Sequence, residues 1–158
     1  MILIDGAILS VIASVILLLI LRFNPRILLN DYPKDVQAAS APKTPAEKKW
    51  TLLVGIPYLL VLLLVPFFST LSLKQQNGAF VALFLNAFGV AFIFNLVDWL
   101  LLDWLLFCTI TPKFVVLPGT EGMAGYKDYA PHFRGFLIGT LLSAVTGAVI
   151  AGLVWLVG

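Results

Sequence analysis

Four stretches of this sequence are each long and apolar enough to cross a bilayer, whose hydrocarbon core of about 30 Å takes roughly 20 apolar residues in a helix. They run from about Ile4 to Phe23, Trp50 to Leu73, Ala79 to Ile110 and Phe136 to Val157. Backbone polar groups left unpaired in lipid are too costly, and the runs lack the alternation of a barrel strand, so each is expected to be helical. Composition agrees: 61% of the residues are hydrophobic and 11% charged, where a soluble domain would be about a quarter charged. That excludes an ordinary soluble domain, a disordered chain and a nucleic-acid binder with a basic face. The expected fold is all-α, a polytopic four-transmembrane-helix bundle forming one domain over residues 1–158, with helices at about 4–23, 45–73, 79–110 and 136–157.

The rare residues narrow the chemistry. One cysteine, Cys108, forms no intrachain disulfide, and one histidine, His132, builds neither a bis-His haem site nor a multi-His zinc site. No cofactor and no metal are expected. The first apolar run carries Asp5 and no Lys or Arg ahead of it, the reverse of a cleaved signal peptide, so it reads as a retained span.

Orientation follows from the basic residues. Arg22, Arg26, Lys34, Lys43, Lys48, Lys49, Lys113, Lys127 and Arg134 all flank the two long loops, and only Lys74 lies in the tight connection opposite. The positive-inside rule then expects a multi-pass protein of the cell membrane, with loops 24–44 and 111–134 cytoplasmic and both termini outside. Thr44-Pro45-Ala46-Glu47 has the spacing of a capping box and should start the second helix in the cytosol. Pro57 and Pro66 are candidate kinks, Thr111-Pro112 a stop and Asn77-Gly78 a turn. The third run, 32 residues, would reach about 48 Å as an α-helix, so its last turns should leave the hydrocarbon. With the two loops they would form a cytoplasmic cap.

In the fourth segment Gly135, Gly139, Ser143, Gly147 and Ala151 recur every four residues, beside a second row of Thr140, Ala144, Ala148 and Gly152. Small residues at this spacing let helices approach closely in lipid, within the bundle or across a homo-oligomer. In the third segment Asn95, Asp98 and Asp103 fall within an arc of about 140° at 100° per residue. A carboxylate in a span is a functional candidate by default. Trp99 and Trp104, in the repeat DWLLL-DWLLF, instead suggest the headgroup level, where the aspartates would pair with Arg26, Lys34, Lys113 or Arg134. Asn86 reads as an interhelical hydrogen-bonder, and His132 as a loop residue able to exchange protons near neutral pH. The Gly-rich stretch near Pro118-Gly119 lacks Walker spacing.

Two aromatic–charge clusters, Asp31-Tyr32-Pro33-Lys34-Asp35 and Tyr126-Lys127-Asp128-Tyr129, sit in the two loops and are expected to dock on each other. Alternatively they bind anionic lipid headgroups, with Arg26, Lys34, Lys113, Lys127 and Arg134 supplying about 1 kcal/mol each. Together with Asn24-Pro25-Arg26 and the stretch from Asp103 to Phe136, these motifs resemble an uncharacterised family of small bacterial four-span membrane proteins, a resemblance that implies no activity. The leading functional expectation is a scaffold or accessory protein that packs with itself, a partner or anionic lipid. A small ion or solute transporter using Asn86, Asn95 and Asp98 comes second. An interfacial lipid-modifying enzyme using Asp98, Asp103 and His132 comes third.

Overall fold

A computed structural model describes residues 1–76 and 78–157, and among them there is no strand. The helices are α1 (Ile2–Phe23), α2 (Lys34–Ala39), α3 (Pro45–Lys74), α4 (Phe80–Val97) and α5 (Ala130–Val157), with α4 running on unbroken through Asp98–Ile110. The four long ones, of 22, 30, 31 and 28 residues when α4 is counted through Ile110, are each long and apolar enough to cross a membrane. Their outward faces are greasy: Leu52, Leu53, Ile56, Leu59 and Leu60 on α3, and Leu137, Ile138, Leu141, Leu142 and Val145 on α5, are all exposed. An apolar surface of this extent belongs against lipid rather than water. The protein is thus an all-α four-helix bundle of the membrane type.

Inside the bundle, close approach replaces bulky packing. The most extensive helix pair is α4 with α5. There a Cβ added at Gly147 would lie 2.9 Å from the Phe88 backbone nitrogen, and one at Gly139 would strike the Asn95 amide. Ala151 packs with Leu83, Ala87, Ile150 and Val154 in one buried cluster. The α4 helix also leans on α1, where a Cβ at Gly6 would meet Ile93 at 2.7 Å and one at Gly89 would meet Ile2 at 2.8 Å. Polar ties cross the same space. Buried Asn86 donates to Ser69 Oγ (2.9 Å) and Thr70 Oγ1 (3.1 Å), and Ser69 donates to Asp5 Oδ2 (2.6 Å). Asn95 donates to Phe136 O (3.0 Å) and Thr140 Oγ1 (3.1 Å). In lipid such bonds fix which helix faces meet, because no hydrophobic force does so.

The helix ends follow local chemistry. Thr44 and Glu47 form the expected capping box, with Glu47 N–H on Thr44 Oγ1 (3.2 Å) and Thr44 N–H on Glu47 Oε2 (2.8 Å). The α3 helix continues through Pro57 and Pro66 to Lys74. After Ile110 the chain stops at Thr111, whose positive φ of 49° is rare for a β-branched residue. Lys127 covers that end, donating to Cys108 O (2.8 Å), Thr109 O (3.0 Å) and Thr111 Oγ1 (2.6 Å). Its charge sits where the helix leaves carbonyls without partners. The last helix starts at Ala130, six residues before its expected apolar onset at 136. Asp128 Oδ1 takes the Ala130 N–H (3.0 Å), and Pro131 has its fixed φ in the first turn, so the polar residues before Phe136 are already helical. His132 and Arg134 therefore stand on a helix rather than in a loop. Of the expected Asn77-Gly78 turn, Asn77 lies outside the described residues.

The two long connections pack into one layer at a single end of the bundle. Tyr32, Val36, Phe107, Cys108, Val115, Leu117 and Tyr126 are its buried core. Tyr32 donates its hydroxyl to Val115 O (2.7 Å), and Gly125 N–H reaches Asp35 Oδ2 (2.9 Å) across 90 residues of sequence. Arg26 ties the layer to α3, bonding Glu47 Oε1 (2.6 Å) and the carbonyls of Ala41 and Pro42. Tyr126 is the hub: its hydroxyl accepts from Leu117 N–H (2.9 Å) and pairs with Thr120 Oγ1 (2.7 Å), all buried. Tyr126→Phe strands that amide, and a loss of about 1–2 kcal/mol of stability is expected, read as a lower midpoint of thermal unfolding in detergent.

Candidate functional site

At Asp98 the α4 helix changes its winding. From Asp98 to Ile110 it is hydrogen-bonded i→i+5, the wide π form, closing with Thr111 N–H on Leu106 O (2.8 Å). Wide turns of this kind are uncommon and concentrate at functional sites. The sequence there repeats with period five, DWLLL-DWLLF, and five residues is the spacing that such winding stacks on one face. On an α-helix Asp98 and Asp103 would stand about 140° apart. Here both line the same cavity, while Trp99 and Trp104 lie against each other with ring centroids 4.6 Å apart. Trp99 also stacks on Phe136 (4.3 Å), locking this segment to α5. The 18 residues of α4 before the change span about 27 Å, close to the thickness of the hydrocarbon core.

The cavity, about 650 Å³, opens among α1, α3, the wide turns, the start of α5 and the loop layer. Its polar lining is Asn30, Asp31, Tyr32, Lys43, Thr51, Tyr58, Asp98, Asp103 and His132, and its apolar lining includes Leu17, Leu21, Val54, Leu102 and Leu106. That is the size and mixed character of a small-molecule site. His132 is fixed in its wall: Nδ1 lies 3.0 Å from Asp103 Oδ1, the ring packs on Phe107 (5.0 Å between centroids), and the side chain is only 10% exposed. In the neutral ring, Nδ1–H given to the carboxylate leaves Nε2 as the acceptor nitrogen. It is buried without a hydrogen-bond partner among the described residues.

The ion pairs among the described residues are Arg26–Glu47 and His132–Asp103, and neither includes Asp98 or Asp31. Of the basic residues expected to neutralise the aspartates, Arg26 is engaged by Glu47, and Lys34, Lys113 and Arg134 do not line the cavity. Lys127 is spent on the helix end. The cation present is Lys43, its ammonium donating to the Ile27 carbonyl and to Thr51 Oγ1. Asn86 and Asn95 lie outside the cavity, with their amides committed to neighbouring helices. Within the small-residue row, Gly135 lines the cavity, Gly139, Gly147 and Ala151 pack inside the bundle, and buried Ser143 bonds back to Gly139 O (2.8 Å). Among the polar lining, Asn30, Lys43, Thr51 and Tyr58 were not singled out from the sequence as site members, whereas Asp31 and Tyr32 belong to the cluster expected to dock or to bind headgroups. For Tyr58 the available signal was a phenol beside Pro57 in an otherwise apolar run.

Asp31 lines the cavity and is exposed. Partial desolvation raises its carboxyl above the ordinary value, with Lys43 opposing and Asp103 reinforcing the shift. Burial likewise lowers the Lys43 ammonium, against the attraction of Asp31 and Glu47. A carboxyl raised on folding stabilises the fold fully below its unfolded value, about pH 4, and loses that contribution as pH climbs through the folded value. Asp31→Asn does not ionise, so its thermal midpoint relative to the wild type is expected to rise between pH 4 and pH 7. A difference that stays flat across that range would refute the assignment.

No protein-family model matches this chain, nor does any curated protein or solved structure. What the structure defines is therefore the class of the fold alone, a four-helix membrane-type bundle with a loop-capped cavity.

Proposed function

We propose that this protein is an integral membrane enzyme that takes an amphiphile into the capped cavity and performs acid–base chemistry on its polar head. The observation that carries this reading is the His132 imidazole, held at Nδ1 by Asp103, with a buried and unpartnered Nε2, in a residue that lines a cavity also containing Asp98. An imidazole oriented by a carboxylate takes a proton at its free nitrogen while the carboxylate stabilises the imidazolium. Asp98, one wide turn away, supplies a second proton-transfer group. Leu17, Leu21, Leu102 and Leu106 give the hydrocarbon chain its place. The reaction class is hydrolysis at a lipid headgroup, with water supplying the hydroxyl to one fragment and the proton to the other.

A purely structural role expects direct Asp–Arg pairing with no cavity, whereas a polar cavity reaching Asp98 suits transport or catalysis; catalysis is preferred because Asn86 and Asn95 lie outside the cavity with their amides committed to neighbouring helices. We place the loop layer in the cytoplasm, since nine of the ten basic residues flank it, with both termini outside. Lys34, Lys113 and Arg134 then attract the anionic leaflet.

The reading is tested by placing the purified full chain in nanodiscs of a natural lipid extract and following every lipid class by mass spectrometry. A product that accumulates with the protein and is missing from empty discs is expected. An unchanged lipid inventory after prolonged incubation would overturn the enzyme reading.

A further inference from the structure

The cavity has acceptors in excess. Three carboxylates, Asp31, Asp98 and Asp103, face one ammonium, Lys43, which is already committed to two oxygens, and no arginine lines the space. His132 Nε2, on a side chain nine-tenths buried beside them, has no hydrogen-bond partner among the described residues. A phosphate or sulfate head brings only acceptors and negative charge, and meets repulsion here. A quaternary ammonium brings the right charge but no N–H. A protonated primary amine brings a positive charge and three donors. Tyr32, Tyr58 and Phe107 also line the space, and aromatic side chains are compatible with a cation nearby.

Building on the amphiphile reading above, we infer that the cavity selects a head bearing a protonated primary amine, with its N–H groups shared among the carboxylates of Asp31, Asp98 and Asp103 and the His132–Asp103 pair reporting its arrival. The amine can be carried by a single-chain amphiphile or by an aminophospholipid. Lys43, with one N–H still unassigned, stands beside the amine site where the phosphate of an aminophospholipid would lie.

Because the chain has one histidine, ¹⁵N-histidine labelling gives one imidazole to observe. With the full chain in phosphatidylcholine nanodiscs, whose heads lack N–H groups, the Nε2 resonance is followed during addition of dodecylamine, dodecyltrimethylammonium, dodecyl sulfate or dodecyl maltoside. In a second arm, phosphatidylethanolamine replaces part of the phosphatidylcholine. A saturable shift is expected with dodecylamine or phosphatidylethanolamine, at a concentration at least tenfold lower than with the trimethylammonium chain. Whichever carrier acts identifies the source of the amine. Asp31→Asn, at a loop position outside the bundle core, is expected to weaken that response at least tenfold. Equal responses to all four heads would overturn the inference while leaving an amphiphile site in place. Stronger binding of the sulfate would overturn it as well. No response to any chain would overturn both the inference and the amphiphile reading.

Discussion

His132→Gln is expected to lower turnover of the cavity's substrate by about 10²- to 10⁴-fold, the contribution typical of a positioned general acid–base group. Glutamine keeps a polar side chain of similar reach, but its amide does not exchange protons near neutral pH. Asp103→Asn should cost less, since the imidazole survives and loses only the carboxylate that fixes its tautomer and stabilises its charged form. In both variants the thermal midpoint should stay near that of the wild type, because Asp103 is 31% exposed and water in the cavity can take over its hydrogen bond. The control matters: a drop in activity that tracks a drop in midpoint would mean that the pair is a strut between the wide turns and α5. Turnover unchanged in His132→Gln at unchanged stability would remove this residue from the chemistry altogether.

How much of this site was legible in the sequence depends on the range over which each signal acts. Spans and caps are local. The apolar runs, the Thr44–Glu47 box and the Thr111-Pro112 stop depend on residues within one or two turns of each other, so they read directly. The start of α5 did not, because hydropathy registers the lipid-facing part of a helix and is blind to a polar first turn such as Ala130–Arg134. At 100° per residue Asp98 and Asp103 already fall on one broad side of the helix, but their meeting in one cavity was not legible. The five-residue repeat was visible, but only the wide winding turns it into a shared face. Longer reach defeated the rest. Nothing local to Lys43 announces that its ammonium seeks the Ile27 carbonyl, or nothing near Asp35 that its partner is Gly125. The same holds for the basic residues: charge counting assigns Arg26 and Lys127 to a side of the membrane, whereas geometry spends one on Glu47 and the other on a helix terminus.

Gly147→Leu should be the most damaging single change to the bundle, costing about 3 kcal/mol of stability or more. Added methylenes in a packed interior typically cost about 1–3 kcal/mol when side chains can shift to make room. Here the first added atom would meet the Phe88 backbone nitrogen at 2.9 Å and its Cα at 3.1 Å, and backbone does not rotate aside. Relief requires moving α5 away from α4, which loosens the cluster of Leu83, Ala87, Ile150, Ala151 and Val154. Further along the same helix pair, the Asn95 bonds to Phe136 and Thr140 hold α5 in register and resist that movement. The control lies five residues on: a Cβ at Gly152 meets nothing within 4 Å, so Gly152→Leu should change stability by less than about 0.5 kcal/mol. Unfolding by heat or by added SDS in mixed micelles measures both. Because α5 carries small residues on two adjacent rows, the comparison also separates two uses of them. If the open row at Gly152 seats a second copy of the chain, Gly152→Leu will leave the monomer's stability intact and shift the oligomer toward monomer by light scattering. If both substitutions destabilise the monomer equally, α5 does not pack on α4 through Gly147, and the arrangement that puts Gly135 and His132 against the cavity falls with it.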